Sequence, residues 1–252
     1  VIFKKFGLFF MILTASIFLS TVVYAHHAKE FIVIESYDQA LKNSAILLNQ
    51  WDDAFVDRHD SAEDEWEYTP TLLYGITDRI QFDLHGHLKK VHGTGAFVEA
   101  GTAGFQFQLT KPEERFVNVG FSIEYELPTN RSRHTIDGSD TLYETLIISK
   151  EFPRETKVVA NFGAEQHLAW GGKPEWIYGV GIKTRPFKRL DFLHAGIEWT
   201  GTFDGLTPEA SLIPGIYLGL PFDFILKAGL QIGMTEDTDD LTMTFALVKT
   251  LF

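Results

Sequence analysis

From Asn43 onward, apolar and polar residues alternate with a period of two in consecutive segments separated by turn residues, and that pattern leaves few folds open. The segments read as 43–56, 64–75, 78–91, 96–110, 115–127, 140–152, 155–168, 173–185, 189–202, 207–220, 222–234 and 239–252. Each has the length that a tilted strand needs to cross a bilayer. Ile80, Phe82, Leu84 and Leu88 share one face of the third segment, and Gln81, Asp83, His85, His87 and Lys89 the other. The fifth sets Val117, Val119, Phe121, Ile123 and Tyr125 against Asn118, Ser122, Glu124 and Glu126. A soluble antiparallel sheet alternates in the same way, so alternation alone does not say which face is outward.

Turns carry more of the decision. Tight connections are expected at Gly75 to Asp78, Lys111 to Glu114, Phe152 to Glu155, Arg185 to Lys188 and Leu220 to Phe222, and four of the five contain proline. The intervening connections are more polar, as in Asp57 to Glu63, Pro128 to Ser139 and Thr235 to Asp239. Short turns at one end and longer loops at the other are the layout of an outer-membrane barrel, with the short turns facing the periplasm. Under this threading Trp51, Trp66, Trp170, Trp176 and Trp199 fall near the outer ends of their strands with Tyr68, Tyr125, Tyr143 and Tyr178. Tyr74, Phe116, Phe152, Phe187, Phe222 and Phe252 fall at the opposite rim. Two aromatic bands are expected where amphipathic rings meet two membrane interfaces.

The N-terminal residues have the parts of a secretory signal in order: Lys4 and Lys5, an apolar stretch from Phe6 to Phe18, and Val23-Tyr24-Ala25 ahead of His26. No later stretch is long and apolar enough for a membrane helix, so any further crossing must be made by a closed barrel, which also satisfies every backbone polar group without water. The expected organisation is a helical signal peptide over 1–25, a periplasmic lead-in or plug over 26–42, and an all-β, transmembrane, antiparallel up-and-down β-barrel over 43–252 with about twelve strands.

Composition excludes several functions. The chain has no cysteine, so thiol catalysis, disulfides and thiolate metal sites are ruled out. Its formal charge of −12 leaves few cations to displace counterions from phosphates, and no nucleic-acid partner is expected. Signatures of serine hydrolases, P-loop nucleotide binders and zinc peptidases are missing, and the expectation is a protein that is not an enzyme, without cofactor. Outer-membrane phospholipases of twelve strands carry Ser and His on the outer surface of the barrel. Here His85 and His87 are assigned inward and no Ser stands out as a partner.

The residues assigned to the lumen, and hence to a solute path, are Glu67, Asp83, His85, His87, Glu124, Glu165, His167, Lys183, His194, Glu198 and Lys227. Asp83, His85 and His87 share a strand face, and Glu165 with His167 and His194 with Glu198 add imidazoles and carboxylates. A metal site requires three or four such groups to converge. Strand order sets the third, seventh and ninth segments apart, so a hydrated or salt-bridged lining is expected and no metal site. The acidic stretches Asp57 to Glu65 and Glu236 to Asp240 read as solvated loops, with cation-bridged lipopolysaccharide as the alternative.

Two resemblances refine the reading. The last segment ends in Phe252, as does the signal by which outer-membrane barrels engage their assembly machinery, although Thr244 and Thr250 interrupt its apolar alternation. Glu67-Tyr68-Thr69-Pro70 followed by Leu73-Tyr74-Gly75-Ile76-Thr77-Asp78-Arg79-Ile80 resembles the outer-membrane protein family associated with meta-pathway phenol degradation. That resemblance implies a transporter-like barrel of the outer membrane, in contact with lipid and lipopolysaccharide, for passive passage of a small solute of aromatic or apolar character. A lipid hydrolase and a plugged structural barrel are the alternatives.

Overall fold

The computed structural model describes residues 31–55, 64–93, 95–110, 116–129, 140–153, 155–168, 173–187, 189–203, 208–235, 238 and 240–251. The expected signal peptide, the start of the lead-in, most of both acidic loops, Trp170 and Phe252 lie outside the described residues.

Twelve strands form one closed antiparallel barrel: β1 (Ala45–Phe55), β2 (Glu65–Thr77), β3 (Ile80–Val91), β4 (Phe97–Gln108), β5 (Asn118–Pro128), β6 (Thr141–Phe152), β7 (Thr156–His167), β8 (Glu175–Thr184), β9 (Leu193–Phe203), β10 (Pro208–Leu220), β11 (Phe224–Gly233) and β12 (Leu241–Thr250). Each strand pairs with its chain neighbours, and β1 closes on β12 from Ile46 opposite Thr250 to Phe55 opposite Leu241. An even number of strands allows that last pairing to be antiparallel, so no edge is left. Among the described residues no helix is long and apolar enough to cross a membrane; the crossing is made by strands.

Exposure tells which way the barrel faces. Leu84, Val180 and Trp199 point outward and are 46%, 54% and 56% exposed, whereas the inward-facing Asp83, Glu198 and Lys227 are only 1–2% exposed. A water-soluble protein buries its Leu and Val and leaves Lys and Glu outside. The inversion is what a lipid solvent demands, because an apolar belt must meet acyl chains while polar groups find partners within. The aromatic bands follow: Trp51 and Trp66 stack on Tyr68 at ring separations of 5.1 and 6.4 Å, and Phe162 stacks on Trp176 at 5.5 Å. Tyr143 departs from the expected belt. It turns into the lumen, where its hydroxyl reaches Glu165 at 3.4 Å.

At the turn end, β2–β3, β6–β7 and β10–β11 are joined by only two or three residues. Asp78 and Arg79 make the first, and Phe222 and Asp223, both at positive φ, reverse the chain in the last. Two connections are longer than expected. Leu109 and Thr110, past the end of β4, both donate to the carbonyl of Val119 near the start of β5, and successive turns from Phe187 to Leu190 and from Leu190 to Leu193 delay β9. Prolines also occur inside strands: β2 loses its pairing to β3 at Thr69 and Pro70, and β10 loses its pairing to β11 at Ile213 and Pro214. A proline has no N–H to give a ladder, so the wall is locally unzipped at both places.

Candidate functional site

Inside the turn-side half of the barrel lies a second layer, residues 31–42, which curls past successive strands. Phe31, Ile32, Ile34, Tyr37 and Ala40 are buried there. Small wall residues make the space: a methyl group at Gly181 would stand 2.8 Å from the Phe31 ring, and one at Gly229 would stand 3.0 Å from Ile32. The segment leaves the lumen at Asn43, whose positive φ of 61° turns the chain into β1 and whose N–H donates to the Gly75 carbonyl at 2.7 Å. Gly75 has to be glycine, since a Cβ there would meet the Leu41 carbonyl at 2.1 Å.

Wall side chains answer the polar backbone of this segment. The Glu198 carboxylate accepts from the N–H groups of Ile32, Val33 and Ile34 at 2.5, 3.0 and 2.9 Å and from the Tyr217 hydroxyl at 3.0 Å. Three consecutive N–H groups converging on one anion form a nest, a local concentration of positive potential. Lys227 donates to the Phe31 carbonyl at 3.0 Å, Gln106 to that of Ser36 at 2.7 Å, and the Ala40 N–H donates to Gln81 at 2.6 Å. Asp38 pairs with Lys157, and Glu35 accepts from Ser122 at 2.7 Å. The Lys183 ammonium lies 6.0 Å from the centre of the Phe31 ring and 5.4 Å from that of Tyr217. Burying this much polar backbone without partners would be costly, and the wall supplies those partners.

Above the segment the lumen opens into cavities that share Val33 as part of their floor. The acidic side, bounded by β1–β6, is a cavity of about 340 Å³ lined by Asp52, Glu67, His85, His87, Glu124 and Glu126, among others. The other side, toward β7–β10, is a cavity of about 500 Å³ whose wall includes Ile34, Asn161, Ile177, Thr200 and Ser211. Its chemistry is mixed: aliphatic surface beside hydroxyl and amide groups, with Glu35 and Glu209 as carboxylates.

The residues assigned to the lumen all sit on inward strand faces, but they fall into separate groups. Glu67 accepts from His87 Nδ1 at 2.8 Å, and His85 and Glu124 share the acidic cavity with them. Asp83 lies one step deeper, opposite Gly104. Glu165 and His167 stand together near the outer mouth, Nε2 to carboxylate 3.6 Å, with His167 Nδ1 3.1 Å from Thr141 Oγ1. Glu198, Lys183 and Lys227 belong to the seat of the inner segment. His194 sits at the turn-side mouth, 3.0 Å from Glu155. The third, seventh and ninth segments do not bring their histidines and carboxylates together; Asp83, His85 and Glu124 do converge, across β3 and β5. Sequence reasoning missed Gln81, Gln106, Lys157 and the acids Glu35 and Asp38. The available signal was the run Phe31 to Ile34 followed by Glu35 and Asp38, apolar and acidic groups suited to a lumen containing lysines.

No protein-family model and no curated protein matches the chain. Among solved structures it is similar to an outer membrane channel from Pseudomonas putida F1, with a TM-score of 0.60 and 12% identity, over 85% of this chain and 98% of that one. It also matches the CymD monoaromatic hydrocarbon channel at 10% identity, over 83% and 88% of the two chains, with a TM-score of 0.48. The translocator domain of the autotransporter NalP from Neisseria meningitidis matches at 12% identity over 82% and 87%, with a TM-score of 0.41. The last two are too distant in shape to carry functional weight. Barrel closure and the apolar exterior define the class: a twelve-stranded transmembrane β-barrel, the fold shared with the first of these structures.

Proposed function

We propose that this protein is a passive outer-membrane channel held shut at rest by its own residues 31–42. One observation carries the reading: a polar-lined lumen large enough for a small solute ends on a floor fastened by wall side chains, with an isolated bridge between Lys42 and Gly75 at its exit. Side-chain fastenings can release one at a time, whereas extracting a ladder strand breaks many bonds at once. The shared fold with a protein described as an outer membrane channel supports passage over a purely structural role.

The solute we infer is small and largely uncharged, with an apolar or aromatic body and a hydrogen-bonding group. The side of the lumen toward β7–β10 suits it, offering Ile34 and Ile177 beside Asn161, Thr200 and Ser211. The acidic side repels anions and favours cations or water. Lipid and lipopolysaccharide around the apolar belt, and assembly through Phe252, belong to the same proposal, as does the lack of catalytic activity. The test is liposome swelling with small phenols, sugars and organic anions, using the full chain and its Glu198→Gln variant. Phenol-sized neutral solutes should enter faster through the variant, and anions slowest. No swelling with either protein would leave a plugged structural barrel, and lipid hydrolysis by the purified protein would mark an enzyme.

A further inference from the structure

We infer that Asp83, His85 and Glu124 form a binding site for one divalent transition-metal ion of the zinc class at the base of the acidic cavity. The inference starts from register. Asp83 pairs with Gly104, and Gly104 pairs with Glu124, so the two carboxylates flank one glycine across three adjacent strands, and His85 follows Asp83 on the same face. Strands two apart lie roughly 9–10 Å from each other, too far for short side chains to meet over an ordinary residue. Gly104 removes the obstacle: a Cβ there would stand 2.5 Å from Glu124 Cγ, which means the glutamate lies across the glycine toward β3.

Three donor atoms are thereby gathered, all within 4.8 Å of one another. His85 Nε2 is 3.8 Å from Glu124 Oε1. That is too long for a hydrogen bond. It is close to the spacing of two ligands on one cation, since metal–ligand bonds of about 2.0–2.2 Å in tetrahedral geometry set donors roughly 3.3–3.5 Å apart. The other ring nitrogen is already engaged: His85 Nδ1 lies 3.1 Å from the buried Thr71 Oγ1. Metal-binding histidines are commonly oriented in this way, by a partner on the nitrogen that does not bind the metal.

The donor set selects the ion. One imidazole and two carboxylates are too few oxygens for calcium, which takes six to eight, and there is no thiolate to favour copper(I). Zinc accepts imidazole nitrogen with carboxylate oxygen in four-coordinate sites, and the cavity that His85 and Glu124 line can supply water as a fourth ligand. Two carboxylates close together in a largely buried place are mutually repulsive, and a dication relieves that repulsion. Asp52, Glu67 and Glu126 on the same cavity wall concentrate cations at the entrance. His85 and Glu124 face the acidic cavity, so an ion in that cavity meets two of the three ligands without movement of the inner segment.

The test uses the full chain in detergent micelles, stripped with chelator and titrated with Co²⁺ while its visible absorption is followed, then back-titrated with Zn²⁺. One saturable ion per chain is expected, displaced by stoichiometric Zn²⁺. Asp83→Asn, His85→Ala and Glu124→Gln should each weaken binding by at least tenfold. Thr71→Val, which touches only the orienting contact, should weaken it by roughly ten- to a hundredfold. His92→Ala, at an exposed loop, should bind as the parent does. Heat-modifiable electrophoretic migration checks that each variant is a folded barrel, and Glu124→Gln serves if a change on β3 unfolds it. Absence of saturable binding, or affinity unchanged by both His85→Ala and Glu124→Gln in folded barrels, overturns the proposal. Because conduction is not the readout, a failure here leaves the channel reading standing, and the reverse holds too.

Discussion

Replacing Glu198 by Gln tests whether the inner segment is a gate. The substitution keeps side-chain size and removes one charge from the centre of the nest. In the parent, one carboxylate oxygen serves Ile32 N–H and the Tyr217 hydroxyl, and the other serves Val33 and Ile34. An amide can present oxygen to only one pair. Its best placement keeps oxygen on Val33 and Ile34, leaving the NH₂ facing the Ile32 N–H while the Tyr217 hydroxyl rotates to accept. One charge-assisted hydrogen bond, worth about 1.5–3 kcal/mol, is lost, and two others fall to the strength of neutral bonds, about 1 kcal/mol less each. The total, roughly 3–5 kcal/mol, raises the population of the displaced segment by about two to three powers of ten or more. In planar bilayers the parent should be mostly silent and the variant should show frequent openings. Protease added on the turn side of vesicles should cut residues 31–42 faster in the variant by a similar factor. Equal open probability and equal cutting rates, in a variant shown to be a closed barrel, would refute the idea that Glu198 latches the segment.

Further outcomes follow from the same geometry. Lys227→Met strips the ammonium that meets the Phe31 carbonyl at 3.0 Å and should loosen the segment less than Glu198→Gln does, by about 1–2 kcal/mol, read as hydrogen exchange over 31–42. In the open Glu198→Gln background, changing Glu67, Glu124 and Glu126 together to Gln should reduce cation preference, moving the reversal potential in a salt gradient toward zero. Val180→Lys on the outer face should cost about 2–4 kcal/mol in urea unfolding from lipid vesicles if it sits near the midplane, whereas a half-exposed Val on a soluble sheet would tolerate Lys at almost no cost.

The number and order of the strands were legible, and most of their ends to within a residue or two, because period-two alternation and proline-bearing turns are local signals. The late start of β9 was not, since Phe187, Leu190 and Leu193 look like strand residues and only their backbone hydrogen bonds reveal turns. The inward faces were legible too: Asp83, His85 and His87 share one by spacing alone. That Glu124 joins Asp83 and His85 was hidden, because it depends on the registers of two separate ladders and on the glycine between them. Tyr143 was grouped with the interfacial rings since its distance along the strand suits a belt, but its parity with Thr141 and Thr145 turns it inward.

Alternation, turn chemistry and the lack of any later apolar helix were enough to establish a closed sheet of about this many strands, since each depends on residues adjacent in the chain. Sequence left 26–42 open between a lead-in and a plug. The folded barrel places 31–42 within itself, because Glu198, Lys227, Gln106 and Gln81, distant from that segment in sequence, converge on its backbone only once the wall has closed. Contacts of that kind are set by closure and register, which couple residues 41 to 196 positions apart and leave no local trace in the order of the amino acids.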